Sequence, residues 1–179
     1  MNPLTRRDFT KHSLAALTPL VASSFIESHL IAAAYGQLPK RIRVGQIGTK
    51  HGHATGKLEA VKKLSEHFEL VGVVEVDTAQ RDRIQKSDAF DNLPWMTIEQ
   101  LLNQSGLQLV MVETDIDQLL PVAEKCLTAG MHIHLDKPAG ASLDHFRRVT
   151  KIAADKKRII QMGYMFRSNS AFQFLYEAV

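Results

Sequence analysis

Residues 130–138 read GMHIHLDKP, an apolar run that ends in Asp136, Lys137 and Pro138. The run predicts a buried strand that carries an acid and a lysine to its carboxyl end. Roughly 90 residues earlier, Gly45–Gly48 (GQIG) ends another apolar run, ahead of a helical pattern. Ligands of open α/β sheets bind at the carboxyl ends of the strands, and a glycine turn between strand and helix is typical of dinucleotide-binding domains. The two stretches together predict such a domain.

Apolar runs and helical patterns alternate along the rest of the chain. Residues 41–47 (RIRVGQI) predict the first strand, and the apolar face of a helix follows from Ala54 to Phe68. The spacing of Thr97 and Gln100 is that of a capping box, which opens a short helix. Thr78 is predicted to cap another helix. The alternation predicts a doubly wound α/β fold in which six parallel strands alternate with helices.

Length and composition indicate a globular protein with one domain. The chain has 179 residues, of which 45% are hydrophobic and 23% are charged, and its net charge is +3. This length holds one domain with a sizeable core but not two full domains. Part of the positive charge lies at the amino terminus, so we expect no nucleic-acid partner. The single cysteine, Cys126, excludes an intrachain disulfide, and the apolar helical pattern around it predicts a core position.

The amino terminus resembles a twin-arginine export signal. Arg6 and Arg7 precede a mostly apolar run from Ser13 to Ile26, and Ala32–Ala34 supplies small residues for cleavage. We therefore predict a signal over residues 1–34 and a periplasmic or otherwise exported protein. A basic amphipathic helix that stays on the domain is the alternative. No stable membrane span is expected, because a span needs about 20 apolar residues and polar residues interrupt this run.

Three further segments follow the predicted signal. Residues 35–40 are predicted to form a short linker, and residues 41–166 the NAD(P)-binding domain. Residues 167–179 begin another helical pattern, which contains three aromatic residues. We expect this last segment to be the start of a truncated carboxyl-terminal part.

The glycine turn departs from the usual dinucleotide fingerprint. In that fingerprint the first glycine makes the tight turn, the second lets the backbone approach the pyrophosphate, and the third allows helix and strand to pack closely. Gly48 matches the first position, whereas Lys50 and His53 replace the second and third, with Gly52 displaced by one position. Lys50 would place positive charge near the phosphates, and the helix amino terminus still offers unpaired N–H groups. A plain strand-to-helix turn is the alternative.

Two acids follow the second predicted strand. Glu75 comes 27 positions after Gly48, where an acid accepts hydrogen bonds from the adenosine ribose, and Asp77 is the second candidate. An acid at this point is also a common turn residue. A carboxylate beside the ribose repels a 2′-phosphate, so we predict NAD as the cofactor, with NADP as the alternative.

Histidines recur in both motif regions. His51 and His53 follow the first strand, while His132 and His134 alternate along the strand that ends in Asp136. Imidazole and carboxylate groups gathered at one sheet edge can bind a metal. Alternation on a pleated strand also accounts for such pairs, so we predict no metal site and place His51 and His53 at the mouth of the cofactor site.

From about Lys40 onward the chain resembles the amino-terminal half of the Gfo/Idh/MocA family, which includes glucose-fructose oxidoreductase and inositol dehydrogenase. Asp136-Lys137-Pro138 matches that family's Glu-Lys-Pro motif with a conservative change of acid. The stretch GYMFR at 163–167 resembles the strand end that leads into the family's second domain. The family's Thr-Pro-Asn motif stands here as Thr114-Asp115-Ile116.

The resemblance implies a Rossmann-type domain whose α+β partner domain, with the family's catalytic Asp and His, is absent or truncated. It implies that Lys137 is catalytic, because an ammonium beside the nicotinamide stabilises alkoxide charge during hydride transfer. Tyr164 and Arg167 would border the substrate. The implied cofactor-binding residues follow the strand ends: Gly45, Gly48, Thr49, Lys50, His51, Glu75, Thr114, Asp136 and Pro138.

The family also implies an activity. Its full-length members transfer hydride between the nicotinamide and a sugar or polyol, and their subunit contacts come largely from the second domain. We expect nucleotide binding with little or no turnover from this chain, and homo-oligomers in the full-length form. Two alternatives stay open: a non-catalytic nucleotide-binding module or pseudoenzyme, and an NAD-dependent glycoside hydrolase of the same fold.

Overall fold

A computed structural model describes residues 41–178, whose strands form one parallel sheet. The strands are β1 (Ile42–Ile47), β2 (Phe68–Val74), β3 (Leu109–Val112), β4 (His132–Leu135) and β5 (Ile160–Met162). They lie in the order β2-β1-β3-β4-β5, and every neighbouring pair is parallel. Continuous apolar runs such as Leu109–Val112 suit strands that are covered on both faces.

Helices cover both faces of the sheet. They are α1 (Ala54–Lys63), α2 (Thr78–Ile84), α3 (Ile98–Leu102), α4 (Ile116–Thr128), α5 (Leu143–Asp155) and α6 (Ser170–Glu177), with a 3₁₀ turn at Met165–Ser168. Val61 of α1 packs with Val44 and Met111 on one face. On the other face α4 and α5 form the larger core cluster, which includes Ile47 and Leu135. The predicted doubly wound α/β fold is confirmed.

The number of strands is five, so the prediction of six is wrong. The outer position beside β2 is taken by Trp95 alone, which forms an isolated bridge with Val73. Pro94 has no N–H to donate, and Thr97 already caps α3, so no longer strand forms at this edge. With Trp95 counted, the order is that of the classical six-stranded doubly wound sheet.

The ends of several elements follow their capping residues. The predicted capping box is present, since Thr97 accepts from the Gln100 N–H and the Gln100 side chain accepts from the Thr97 N–H. Asp77, not Thr78, caps α2 by accepting a hydrogen bond from the Gln80 N–H. The sequence pattern predicts Phe68 on the face of α1, but in the structure Phe68 begins β2, where it pairs with Ile42 of β1. Cys126 is buried in the core as predicted.

The last elements of the chain bury none of their side chains. Neither the 3₁₀ turn nor α6 has a buried residue, and Phe174 and Tyr176 are among the most exposed apolar side chains. Within residues 41–178 no helix is long and apolar enough to cross a membrane. The predicted signal at 1–34 and the linker at 35–40 lie outside the described residues.

Candidate functional site

One cleft lies at the carboxyl ends of β1, β2 and β3. Because β1 lies between β2 and β3, the connections leave it in opposite directions, and such a switch point opens a crevice where ligands of α/β sheets bind. Strand ends, the start of α3 and one side of α4 line the cleft: Ile47, Gly48, Lys50, Glu75, Val76, Ile98, Thr114, Asp115, Gln118, Pro121, Val122 and Lys125. Its volume is about 200 Å³.

Gly48 makes the tight turn that leaves β1. Its φ is +91°, and a Cβ at this position would lie 2.6 Å from the Thr114 backbone nitrogen and from the Glu113 carbonyl carbon. Its N–H donates to the Val74 carbonyl at 2.8 Å, and the Glu113 N–H donates to the Ile47 carbonyl at 2.8 Å. The turn is therefore held between the ends of β2 and β3, and only glycine fits.

Lys50 lies at the mouth of this cleft, in the position of the second fingerprint glycine. Its ammonium is 2.9 Å from an Asp77 carboxylate oxygen and 3.2 Å from an Asp115 carboxylate oxygen. Hydrogen bonds to Asp77 and then Asp115 raise the pKa of Lys50, and the same contact lowers the pKa of Asp77. Lys50 thus connects the end of β2 to the end of β3.

Glu75 is buried and holds the glycine turn as well as bordering the cleft. One carboxylate oxygen accepts from the Thr49 N–H at 2.9 Å and from the Thr49 hydroxyl at 2.7 Å. The other accepts from the Asp77 N–H at 3.0 Å. Thr49 is itself buried, and both its N–H and its hydroxyl are bonded to Glu75.

Gly45 and Thr114 occupy different kinds of position. Gly45 lies inside β1, and a Cβ there would come within 2.7 Å of a Leu101 methyl carbon, so its small size serves the packing of α3. Thr114 lines the cleft, where its hydroxyl donates to the Asp115 carbonyl at 3.1 Å.

Beside the cleft, the carboxyl ends of β3 and β4 carry a group of polar side chains that we call the carboxylate–histidine cluster. It consists of His51, His53, Lys57, Glu113, His134 and Asp136. The Lys57 ammonium donates to a Glu113 oxygen at 2.7 Å and to Asp136 Oδ2 at 2.5 Å. Glu113 and Asp136 are fully buried.

Two histidines converge on the same oxygen of Asp136. The Nδ1 atoms of His51 and His53 both lie 3.0 Å from Asp136 Oδ2. The other ring nitrogen of His51, Nε2, is 3.1 Å from the Lys137 carbonyl oxygen. Asp136 Oδ1 accepts from the Lys137 N–H at 2.6 Å, so the motif acid fixes the backbone beneath the lysine.

Burial and nearby positive charge shift the pKa values of the acids in this cluster in opposite directions. Burial raises the pKa of Glu113 to about 7, although the Lys57 ammonium opposes the change. Burial also disfavours ionisation of Asp136, but hydrogen bonds from Lys57 and the Lys137 N–H outweigh it and hold its pKa well below the usual range. Burial, with the nearby Lys57, lowers the pKa of His134 to about 4.

The predicted catalytic lysine is exposed next to this cluster. Lys137 precedes Pro138 through a cis peptide bond, and its ammonium forms no ion pair with any described residue. Tyr164 borders a second hollow, between α1 and the ends of β4 and β5, which His53, Lys57 and His134 also line. The Arg167 guanidinium lies 5.8 Å from the centre of the Tyr164 ring.

The sequence patterns did not identify three residues of the site, which are Lys57, Glu113 and Asp115. Glu113 ends an apolar strand just as Glu75 and Asp136 do, so its position was readable from the same signal. Lys57 follows His53 by four residues, a spacing that places both on one face of α1. Its pairing with acids from β3 and β4 depends on the order of strands in the sheet.

The sequence matches known proteins over most of the described residues. Residues 42–164 match the Gfo/Idh/MocA family, described as an oxidoreductase family with an NAD-binding Rossmann fold. A curated relative, the uncharacterized oxidoreductase YdgJ of Escherichia coli K12, is 25% identical over 135 residues, which are 73% of this chain and 36% of YdgJ.

Solved structures share the fold. The WlbA dehydrogenase of Chromobacterium violaceum, in complex with NADH and UDP-GlcNAcA, is 20% identical with a TM-score of 0.67, and the match covers 78% of this chain and 40% of WlbA. A protein of Desulfitobacterium hafniense described as an NADPH-dependent oxidoreductase is 23% identical with a TM-score of 0.68, over 79% of this chain and 40% of its own. The chain therefore spans about two fifths of the length of these relatives.

Proposed function

Because the chain belongs to the Gfo/Idh/MocA family through its NAD-binding Rossmann domain, we propose that it binds NAD in the cleft at the ends of β1, β2 and β3. The observation that carries the proposal is that Gly48 and Glu75 meet in one cleft at the switch point of the sheet. A tight glycine turn and an acid after the second strand are the two parts that dinucleotide recognition needs.

In this proposal each part of the nucleotide lies against particular residues of the cleft. Glu75 faces the adenosine ribose, and the exposed Val76 with Ile98 offers an apolar slot for the adenine. The pyrophosphate lies over the turn at Gly48, near the amino terminus of α1. The His53 side chain does not cap that terminus, which leaves backbone N–H groups for an anion.

The charges near the ribose favour NAD over NADP. Glu75 lines the cleft, and Asp77 and Asp115 lie at its mouth, where Lys50 is the cation that pairs with both. A 2′-phosphate would add negative charge beside carboxylates, which costs Coulomb energy.

For the whole protein we propose hydride transfer between NAD and a sugar or polyol, with Lys137 beside the reacting carbon. Two observations support this: the Lys137 ammonium forms no ion pair within residues 41–178, where Asp136 accepts from the Lys137 N–H, and the related WlbA binds a sugar derivative. Tyr164 and Arg167 would then contact the substrate.

Export by the twin-arginine route is proposed on residues 1–34 alone, and fractionation of cells that express the chain tests it.

Calorimetric titration of the full chain with NAD and NADP tests the cofactor proposal. We expect NAD to bind more tightly than NADP, and Glu75→Gln to weaken NAD binding by about tenfold or more, since a hydrogen bond to a charged acceptor contributes about 1.5–3 kcal/mol. Glu69→Gln is the matched control, because Glu69 lies at the opposite end of β2.

A second variant protects the test against loss of the fold. Glu75→Gln also weakens the hold on Thr49, so its circular dichroism must match that of the parent chain. Val76→Glu changes a side chain that is 74% exposed, and it places a charge where the adenine would lie. Unchanged NAD affinity in both variants would place the nucleotide elsewhere and contradict the proposal.

A further inference from the structure

We propose that His51, His53 and Asp136 form a binding site for a divalent transition metal of the zinc type, a function beyond nucleotide binding. One ligand atom from each residue lies within 4.8 Å of the other two. The Nδ1 atoms of both histidines lie 3.0 Å from Asp136 Oδ2. Zinc sites that keep an open coordination position use three protein ligands of this kind, histidine nitrogens with a carboxylate.

The hydrogen bonding of His51 leaves Nδ1 as the ligand atom. The Lys137 carbonyl oxygen, 3.1 Å from Nε2, can only accept, so Nε2 carries the ring proton and donates it. The His53 backbone N–H points to Nδ1 at 3.3 Å, which agrees with an unprotonated Nδ1. Metal-binding histidines usually donate their other ring N–H to a carbonyl or carboxylate in this way.

The cluster contains two buried acids and one ammonium, and Lys57 contacts the same oxygen of Asp136, Oδ2, that faces both histidines. Glu113 and Asp136 are both buried acids, and Lys57 is the ammonium paired with both of them. A buried charge is costly unless it is paired. A neutral His51 Nδ1 would also present its lone pair to Asp136 Oδ2 at 3.0 Å, which is unfavourable unless a cation lies between them.

A carboxylate oxygen of Glu113 is an independent observation that points to a bound cation. Its Oε2 atom is buried and has no hydrogen-bond partner among the described residues. That oxygen lies 3.7 Å from His51 Nδ1, the proposed ligand atom. A cation bound at Nδ1 would stand close enough to compensate the unpaired oxygen, directly or through a bound water.

The site can be reached from solvent. The hollow between α1 and the ends of β4 and β5 is lined by His53, Lys57 and His134, and it has a volume of about 530 Å³. His132 does not join the site, because its Nδ1 accepts a hydrogen bond from the Ile159 N–H at 3.0 Å. The sequence pattern favoured no metal, because alternation on a pleated strand also accounts for paired histidines.

Zinc titration of the full chain, in competition with a chromophoric chelator, tests the site. We expect one tight equivalent, and Co²⁺ in place of Zn²⁺ should give the visible absorption of a low-symmetry four- or five-coordinate ion. His53→Gln and the double variant His51→Gln/His53→Gln should lose at least about tenfold in affinity. His67→Gln, which removes an exposed histidine outside the cluster, should bind zinc like the parent chain.

Equal zinc binding by the parent chain and the folded double variant would overturn the proposal. So would the absence of a tight equivalent in the parent chain, since protons would then neutralise the cluster. Circular dichroism confirms that each variant is folded. The titration needs no nucleotide, so failure of NAD binding and failure of the metal site are observed separately.

Discussion

At the scale of single residues, glycine positions show most directly what this fold requires. Gly48 combines a φ of +91° with backbone atoms 2.6 Å from the place of a Cβ. We predict that Gly48→Ala destabilises the chain by at least about 1–3 kcal/mol, because it forces strained backbone or separates β1 from β3. Urea denaturation followed by circular dichroism measures the loss.

Gly52 is the matched control in the same turn. A Cβ at Gly52 would meet nothing within 4 Å. Gly52→Ala should therefore change the free energy of unfolding by no more than about 0.5 kcal/mol. If both variants lose equal stability, the constraint belongs to the whole turn and not to the approach of Gly48 to β3.

Lys50 makes contacts in the structure that the sequence did not predict. The sequence placed its charge near the phosphates, and the structure shows that charge shared between Asp77 and Asp115. Exposed pairs of this kind contribute little to stability, typically about 0–1 kcal/mol. Their consequence is local, since a bound pyrophosphate must compete with two carboxylates for the same ammonium.

At the scale of elements, a glycine in a helix and a glycine in a strand should respond differently to replacement by alanine. Gly56 lies in α1 with nothing within 4 Å of a Cβ, whereas a Cβ at Gly72 in β2 would lie 2.8 Å from the Met96 sulfur and 3.2 Å from the Pro94 carbonyl. We predict that Gly56→Ala raises the free energy of unfolding by about 0.5–1 kcal/mol through helix propensity. Gly72→Ala should lower it by about 1–3 kcal/mol through overpacking.

The two variants form an internal pair, and thermal and urea unfolding measure both. The two changes in the free energy of unfolding should have opposite signs. A methyl group at Gly56 would meet no neighbouring atom, whereas β2 is covered by the segment that forms the bridge at Trp95. A loss of stability in Gly56→Ala would show that the hollow beside α1 is narrower in solution than in the structure. Tolerance of Gly72→Ala would show that Met96 moves freely.

At the scale of the molecule, stability is distributed unevenly over the described residues. The larger core cluster joins β1, β3 and β4 to α4 and α5, while α6 buries no side chain. We predict that backbone amides of β1 and β3 exchange most slowly with solvent deuterium and that those of α6 exchange within the fastest class. Hydrogen exchange read by mass spectrometry measures both, and slow exchange in α6 would contradict the prediction.

The sequence by itself determined the order of elements and most of their ends. Apolar runs marked β1 and β4, and the spacing of Thr97 and Gln100 marked a helix start that the structure confirms. These features depend on residues close together in the chain, so local propensity and hydrogen bonding decide them. The same reasoning found Glu75, Asp136 and Lys137 at the strand ends but not Glu113.

Only the tertiary structure decided which of those side chains meet. The order of strands brings the ends of β1, β3 and β4 together, so that His51, His53 and Lys57 reach Glu113 and Asp136 across more than fifty residues of sequence. The tertiary structure also packs Leu101 against Gly45 and brings the Glu75 carboxylate to the Thr49 hydroxyl. At the edge of the sheet, only Trp95 stands where a sixth strand was predicted. These outcomes depend on contacts between distant segments, which no local pattern in a single sequence records.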